Sequence, residues 1–315
     1  MELALLLKES SAEFAFLRAA FGNKMSFLVV WAKTIIIKPG AMASALVAFA
    51  EYFVCQLDRF AVVRPEDRAQ FKKLITLTIL LTLTLANARS VRLVKSMQKT
   101  FFWIILIPIM LIISFGVKNM INPIKTDSEL IIDYSKTGPT YFKDCDSFSA
   151  KVTIISAYAL AFYQTMWSYD GWQAMSYCVE EIKNPEKNLP YSSILGTLLV
   201  TCLYLLMNKS YFSAIPISYA FEPSGTTAMA IVFIRKSMGS LGNILPLFET
   251  LIAIGILCAN YNTALANMFT TSRITFVAAR HGQLPKFINF IDVVHRTPSV
   301  AIWLNSFFVF VLLGE

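Results

Sequence analysis

Trp167-Ser168-Tyr169-Asp170-Gly171-Trp172 is the stretch whose reading settles how the rest of the chain is laid out. It closes an apolar run that starts near Val152. Ser, Asp and Gly are all poor helix formers, and here they fall within four residues. A carboxylate at the centre of a membrane helix costs roughly 2.5 to 3.5 kcal/mol by insertion scales, so Asp170 demands a partner or water. The spacing predicts that the helix breaks at this point. Unpaired backbone groups at such a break are tolerated in a bilayer only where protein or a water-filled cavity satisfies them. A second reading places the two indoles and Tyr169 in an interfacial aromatic belt, with Asp170 in headgroup water. On these residues alone both readings stand.

Working outward, the 315 residues are 56% hydrophobic and 15% charged, with a mean hydropathy of +0.57. Soluble domains do not have that balance. The charge is confined to short blocks between long apolar runs, which makes this an all-α polytopic membrane protein. About seven spans emerge when a crossing is taken to need about 20 apolar residues. They are Phe27 to Cys55, Lys72 to Asn87, Thr100 to Val117, Val152 to about Gln173, Ser192 to Ile215, Ile244 to Phe269 and Val300 to Leu313. The last stops short of a full crossing, so the chain reads as cut off there.

Lys and Arg beside membrane helices stay cytoplasmic. The loop Asn87 to Lys99 carries Arg89, Arg92, Lys95 and Lys99, and the segment after the sixth span carries Arg273, Arg280, Lys286 and Arg296 against Asp292. Both are expected inside, which puts Lys118 to Ala150 outside, with Asp127, Glu129, Asp133, Asp144 and Asp146. The net charge of +8 is explained this way, without nucleic acid. The two histidines, His281 and His295, form no helical pair, and the five cysteines show no CxxC spacing. No metal, no cofactor and no enzyme chemistry are expected from such a set. Leu7 to Asn23 reads as an interfacial helix, with Phe14, Phe16, Leu17 and Phe21 on one apolar face. Lys33, Lys38, Glu51 and Glu249 are further candidates among the ionisable groups inside spans, Glu51 and Glu249 near helix ends. Pro39 and Pro108 are expected to kink their helices. The polar stripe Asn260, Asn262, Thr263, Asn267 and Thr270 reads first as close helix packing.

The motif Trp167 to Trp172, followed by Glu180-Glu181-Ile182-Lys183-Asn184-Pro185-Glu186-Lys187-Asn188-Leu189-Pro190, resembles the sixth helix and following loop of the light subunits of heteromeric amino acid transporters. These are the L-type members of the amino acid, polyamine and organocation superfamily. Phe269-Thr270-Thr271-Ser272-Arg273, running on to Ala279-Arg280-His281-Gly282-Gln283-Leu284-Pro285, is similar to the family's FTSSR and AREGHLP. Ile37-Lys38-Pro39 is a third match. Lys8 to Gly22 is a weaker one to KSGGEYAYL, without the paired glycines.

The resemblance covers nearly the whole chain, residues 1–315 being one incomplete transporter domain. It implies a partial five-plus-five inverted-repeat fold running from the end of helix two into helix nine of twelve. It also implies that the broken sixth helix supplies half of a substrate site. Trp167 would be an aromatic gate, Ser168, Tyr169 and Gly171 would offer backbone, and Asp170 and Gln173 would lie near the side-chain pocket. An acid at position 170 is similar to the cystine and dibasic branch of the family. The implied activity is alternating-access exchange of neutral and, through Asp170, cationic L-amino acids at the plasma membrane. The implied partners are the substrate, the lipid bilayer and a single-span glycoprotein heavy subunit.

Two departures stand out. Gln56 to Phe71 holds no cysteine for the family's covalent link, with Cys55 only bordering it, and Ile105 sits where the family has a lysine. The rival reading is a truncated, non-transporting membrane protein that acts only in assembly.

Overall fold

The computed structural model describes residues 2–7, 13–57, 64, 66–122, 148–215, 229–238 and 244–314. The acidic stretch expected on the outside, including Asp127, Glu129, Asp133, Asp144 and Asp146, lies outside the described residues. Among the described residues there is no strand. The helices are α1 (Glu2–Leu7), α2 (Glu13–Phe21), α3 (Asn23–Leu57), α4 (Arg68–Arg89), α5 (Val91–Ile121), α6 (Phe148–Ser168), α7 (Pro185–Phe212), α8 (Met229–Ser237), α9 (Leu245–Arg280) and α10 (Ser299–Gly314). A 3-10 segment, Ala174–Glu181, lies between α6 and α7. Helices α3, α4, α5, α7 and α9 are long and apolar enough to cross a membrane, and α10 is a shorter apolar helix.

Several boundaries differ from expectation. The basic stretch Asn87 to Lys99 is not a loop, because α4 and α5 together take up all of it except Ser90. Lys and Arg are good helix formers, so the helices run past the apolar zone with their charged ends. Ser90 takes an extended conformation and accepts the amide of Leu93 on its hydroxyl at 3.4 Å, in the manner of a helix N-cap. The sixth span likewise runs on to Arg280, which places Arg273 and Arg280 on a helix. Arg273 is buried, with its guanidinium stacked on the Phe269 ring at 3.5 Å. The helix stops where Gly282 enters the left-handed region at φ 74. Its amide bonds Ala279 O, and that of Gln283 bonds Ala278 O, each at 3.0 Å, a Schellman closure.

Pro39 leaves α3 continuous. Its ring would press on the carbonyl four residues earlier and it donates no N–H. The coil widens to a π turn over Lys33–Ile37 just upstream, where the Lys38 amide bonds the Lys33 carbonyl. In α2, Phe14 is buried and Phe21 is exposed.

The chain divides into two compact units. The first comprises Met1–Met110, Ala174–Leu195 and Pro246–Glu315. Among the described residues, its core joins Met42 and Leu46 of α3, Leu80 and Leu83 of α4, Leu265 and Met268 of α9, and Ile302 of α10. In this unit Gly255 of α9 lies directly against the Pro108 ring of α5, and a Cβ there would overlap that rigid ring. Gly255→Leu is therefore expected to destabilise the fold by about 1 to 3 kcal/mol through overpacking. Gly40 of α3 has nothing within 4 Å of its Cβ direction, so Gly40→Ala is expected to leave stability unchanged or raise it slightly. Thermal unfolding in detergent, followed by a thiol-reactive dye, checks both.

The second unit comprises Leu111–Gln173 and Gly196–Leu245. In it Gly116 of α5 allows close approach of Ser210 on α7. Asn119 donates to the Ser237 hydroxyl at 2.8 Å, and Tyr211 meets Phe233 edge-on at 5.7 Å.

Candidate functional site

The break expected at Trp167 to Trp172 is present. Helix α6 ends at Ser168, so the fourth span stops before Gln173, and residues 169–173 form turns. The amides of Tyr169 and Asp170 reach back three residues, to Met166 O and Trp167 O at 3.1 Å each, and so tighten the last turn. Gly171 then adopts φ 102, a region closed to most side chains, and this is where the chain departs from the helix axis.

Helix α7 holds the broken end in place. The Tyr204 hydroxyl donates to the Ser168 carbonyl at 2.9 Å, and the Tyr169 hydroxyl donates to Thr201 Oγ1 at 3.3 Å. The two tyrosine rings meet edge-on at 5.6 Å. Thus one of the carbonyls orphaned by the helix end is satisfied by a side chain from the neighbouring helix. Sequence reasoning missed Tyr204 and Thr201. The available signal was a phenol inside an apolar span, which needs a hydrogen-bond partner when dehydrated.

Of the candidate site residues, the structure brings Asp170 and Gln173 together, with Gln173 Nε2 donating to Asp170 Oδ1 at 3.5 Å. Gln173 is buried, and its Oε1 has no hydrogen-bond partner among the described residues. Asp170 is exposed, and Trp167 and Trp172 are each 61% exposed. The corner therefore combines a carboxylate, an unsatisfied amide oxygen and the partially negative C-terminal end of α6. All three accept hydrogen bonds and favour positive charge.

The other ionisable groups of the spans have mostly structural partners. Lys33 pairs with Glu13 of α2, and Glu51 pairs with Lys72 of α4. Lys38 is buried and donates to Asn267 Oδ1 of α9 at 3.1 Å, so Asn267 of the polar stripe is a partner for a buried cation. Glu249 is buried. Among the described residues no group of three His, Cys, Asp or Glu is placed to hold a metal ion.

The family described as Amino acid permease matches residues 1–314. The b(0,+)-type amino acid transporter 1 of Homo sapiens is 32% identical over 302 residues, which is 96% of this chain and 56% of the relative. The cystine/glutamate transporter of Homo sapiens is 29% identical over 308 residues, covering 96% and 54%. The Asc-type amino acid transporter 1 of Mus musculus is 26% identical over 317 residues, covering 100% and 54%. The chain spans about half the length of these curated relatives. With its membrane-length helices it is an integral, multi-pass membrane protein, and it belongs to the amino acid permease family.

Proposed function

We propose that the chain serves an alternating-access exchanger of L-amino acids, with residues 1–315 forming part of one transport domain. Its substrate corner is Trp167, Ser168, Tyr169, Asp170, Gly171 and Gln173. The observation that carries this reading is the break at residues 169–173, where a carboxylate and an unsatisfied buried amide oxygen sit 3 residues apart on backbone that has left the helix. A membrane protein retains such a feature where it meets solute or water rather than lipid.

Neutral substrates use the backbone of the break, and cationic ones also engage Asp170 through charge-assisted hydrogen bonds. The site works by binding and release, with no covalent step. The plasma membrane is the expected location. A single-span glycoprotein is the expected partner; residues 56–71 contain no cysteine for a covalent link, and Cys55, bordering that stretch, is exposed.

The test is exchange in proteoliposomes. Internal unlabelled leucine is expected to accelerate entry of labelled leucine. A chain that inserts but shows no such stimulation contradicts transport and favours a purely assembling role. Trp167→Ala is expected to lower exchange by about tenfold, on the order of the 1 to 1.5 kcal/mol that an aromatic contact contributes. Delivery to the surface should be unchanged. Equal exchange in the Trp167→Ala variant and the wild-type protein would remove Trp167 from the site.

A further inference from the structure

We propose that Tyr177 is a positioning residue, latching the inner segment Ala174–Glu181 onto α3 through the Glu13–Lys33 ion pair. Tyr177 is only 1% exposed, and its hydroxyl donates to Glu13 Oε2 at 2.7 Å. The same carboxylate oxygen pairs with the Lys33 ammonium, at the first residue of the π turn. One atom of α2 thus joins the segment after the break to α3, all within one compact unit. Phe14, next to Glu13, is buried among Val30, Tyr177, Ile274, Val277 and Ala278, which keeps the carboxylate in register. Its ring lies 5.7 Å from that of His281, and Arg18 meets His281 Nδ1 at 2.5 Å.

The segment has a second polar tie, Glu180 to Arg280 of α9 at 3.4 Å, but the two side chains are 42% and 40% exposed. Exposed ion pairs contribute little, whereas a hydrogen bond from a buried phenol to a carboxylate is among the stronger kinds. Of these two polar contacts, the one made by Tyr177 is therefore the stronger. A 3-10 segment has poor internal hydrogen-bond geometry, so what it is fastened to decides where it sits.

The role of the latch rests on the transport reading. Inward opening moves the inner segment, which breaks the phenol–carboxylate bond while Glu13 and Lys33 stay paired. Neither Glu13 nor Lys33 is then left without a counter-charge, and the step remains reversible.

The experiment is hydrogen exchange of the whole chain in lipid nanodiscs. Tyr177→Phe keeps the ring and its packing and removes only the hydroxyl. Amides of residues 174–181 are expected to exchange about tenfold faster than in wild type, with α4 and α6 unchanged. Glu180→Gln is expected to change them less than about twofold. Wild-type protection in Tyr177→Phe, equal loosening of every helix, or a Glu180→Gln effect as large as that of Tyr177→Phe would each overturn the latch. Because the readout needs no substrate, a wild-type chain that shows no amino acid exchange while Tyr177→Phe still loosens residues 174–181 would refute transport and leave the latch standing.

Discussion

Asp170→Asn is expected to lower uptake of labelled arginine by at least about tenfold, while leucine uptake is expected to change less than about threefold. The expected size comes from hydrogen bonds to a charged group, which contribute about 1.5 to 3 kcal/mol, equivalent to a factor of ten or more. The asymmetry comes from chemistry. Asn keeps the shape and one acceptor oxygen, so a neutral side chain meets nearly the same corner, whereas a guanidinium loses its counter-charge. The Gln173 amide oxygen, unsatisfied and buried beside position 170, remains as a weaker acceptor, so residual arginine uptake is expected. The check is paired uptake of the two amino acids in the same vesicles. Equal losses for both would show that Asp170 serves folding or general gating and not selection.

Gly171→Val is expected to reduce exchange of all substrates by about tenfold or more, with the protein still inserted and present at the surface. A Cβ at position 171 meets nothing within 4 Å, so crowding cannot be the cause. The cause is the backbone, since φ 102 is unfavourable for any side chain and most of all for a β-branched one. Forcing such a residue there stores about 1 to 3 kcal/mol of strain, which the chain relieves by reshaping the break. The Tyr204 to Ser168 and Tyr169 to Thr201 bonds then lose their alignment. Gly171→Ala should fall between Val and wild type. Surface labelling alongside exchange separates this from loss of expression. Wild-type exchange in Gly171→Val would mean that the turn conformation has no part in transport.

The break was legible because three weak helix formers crowd residues 168–171, a local property that needs no knowledge of neighbours. The long apolar runs were legible for the same reason. Helix ends were not, since Arg89, Arg92 and Arg280 are as content in a helix protruding from the bilayer as in a loop. Partnerships were the least accessible. Lys33 announced a need for a counter-charge, but nothing local says that Glu13, 20 residues earlier, supplies it and shares it with Tyr177. Tyr204 was hidden likewise, because its role depends on α7 packing beside the end of α6. Asn267 was assigned to packing by its small neighbours, and only the fold shows that it receives Lys38.

The most direct measurement is thiol labelling at the corner itself. In a chain whose five native cysteines are replaced by alanine, Asp170→Cys, at an exposed position of the break, is treated with a small, charged, membrane-impermeant thiosulfonate, with and without saturating leucine. The account expects the thiol to react, because the break opens to water, and expects leucine to slow that reaction several-fold by occupying the same space. A thiol that never reacts, or one that reacts at the same rate whether or not amino acid is present, would contradict the assignment of residues 167–173 as a substrate site.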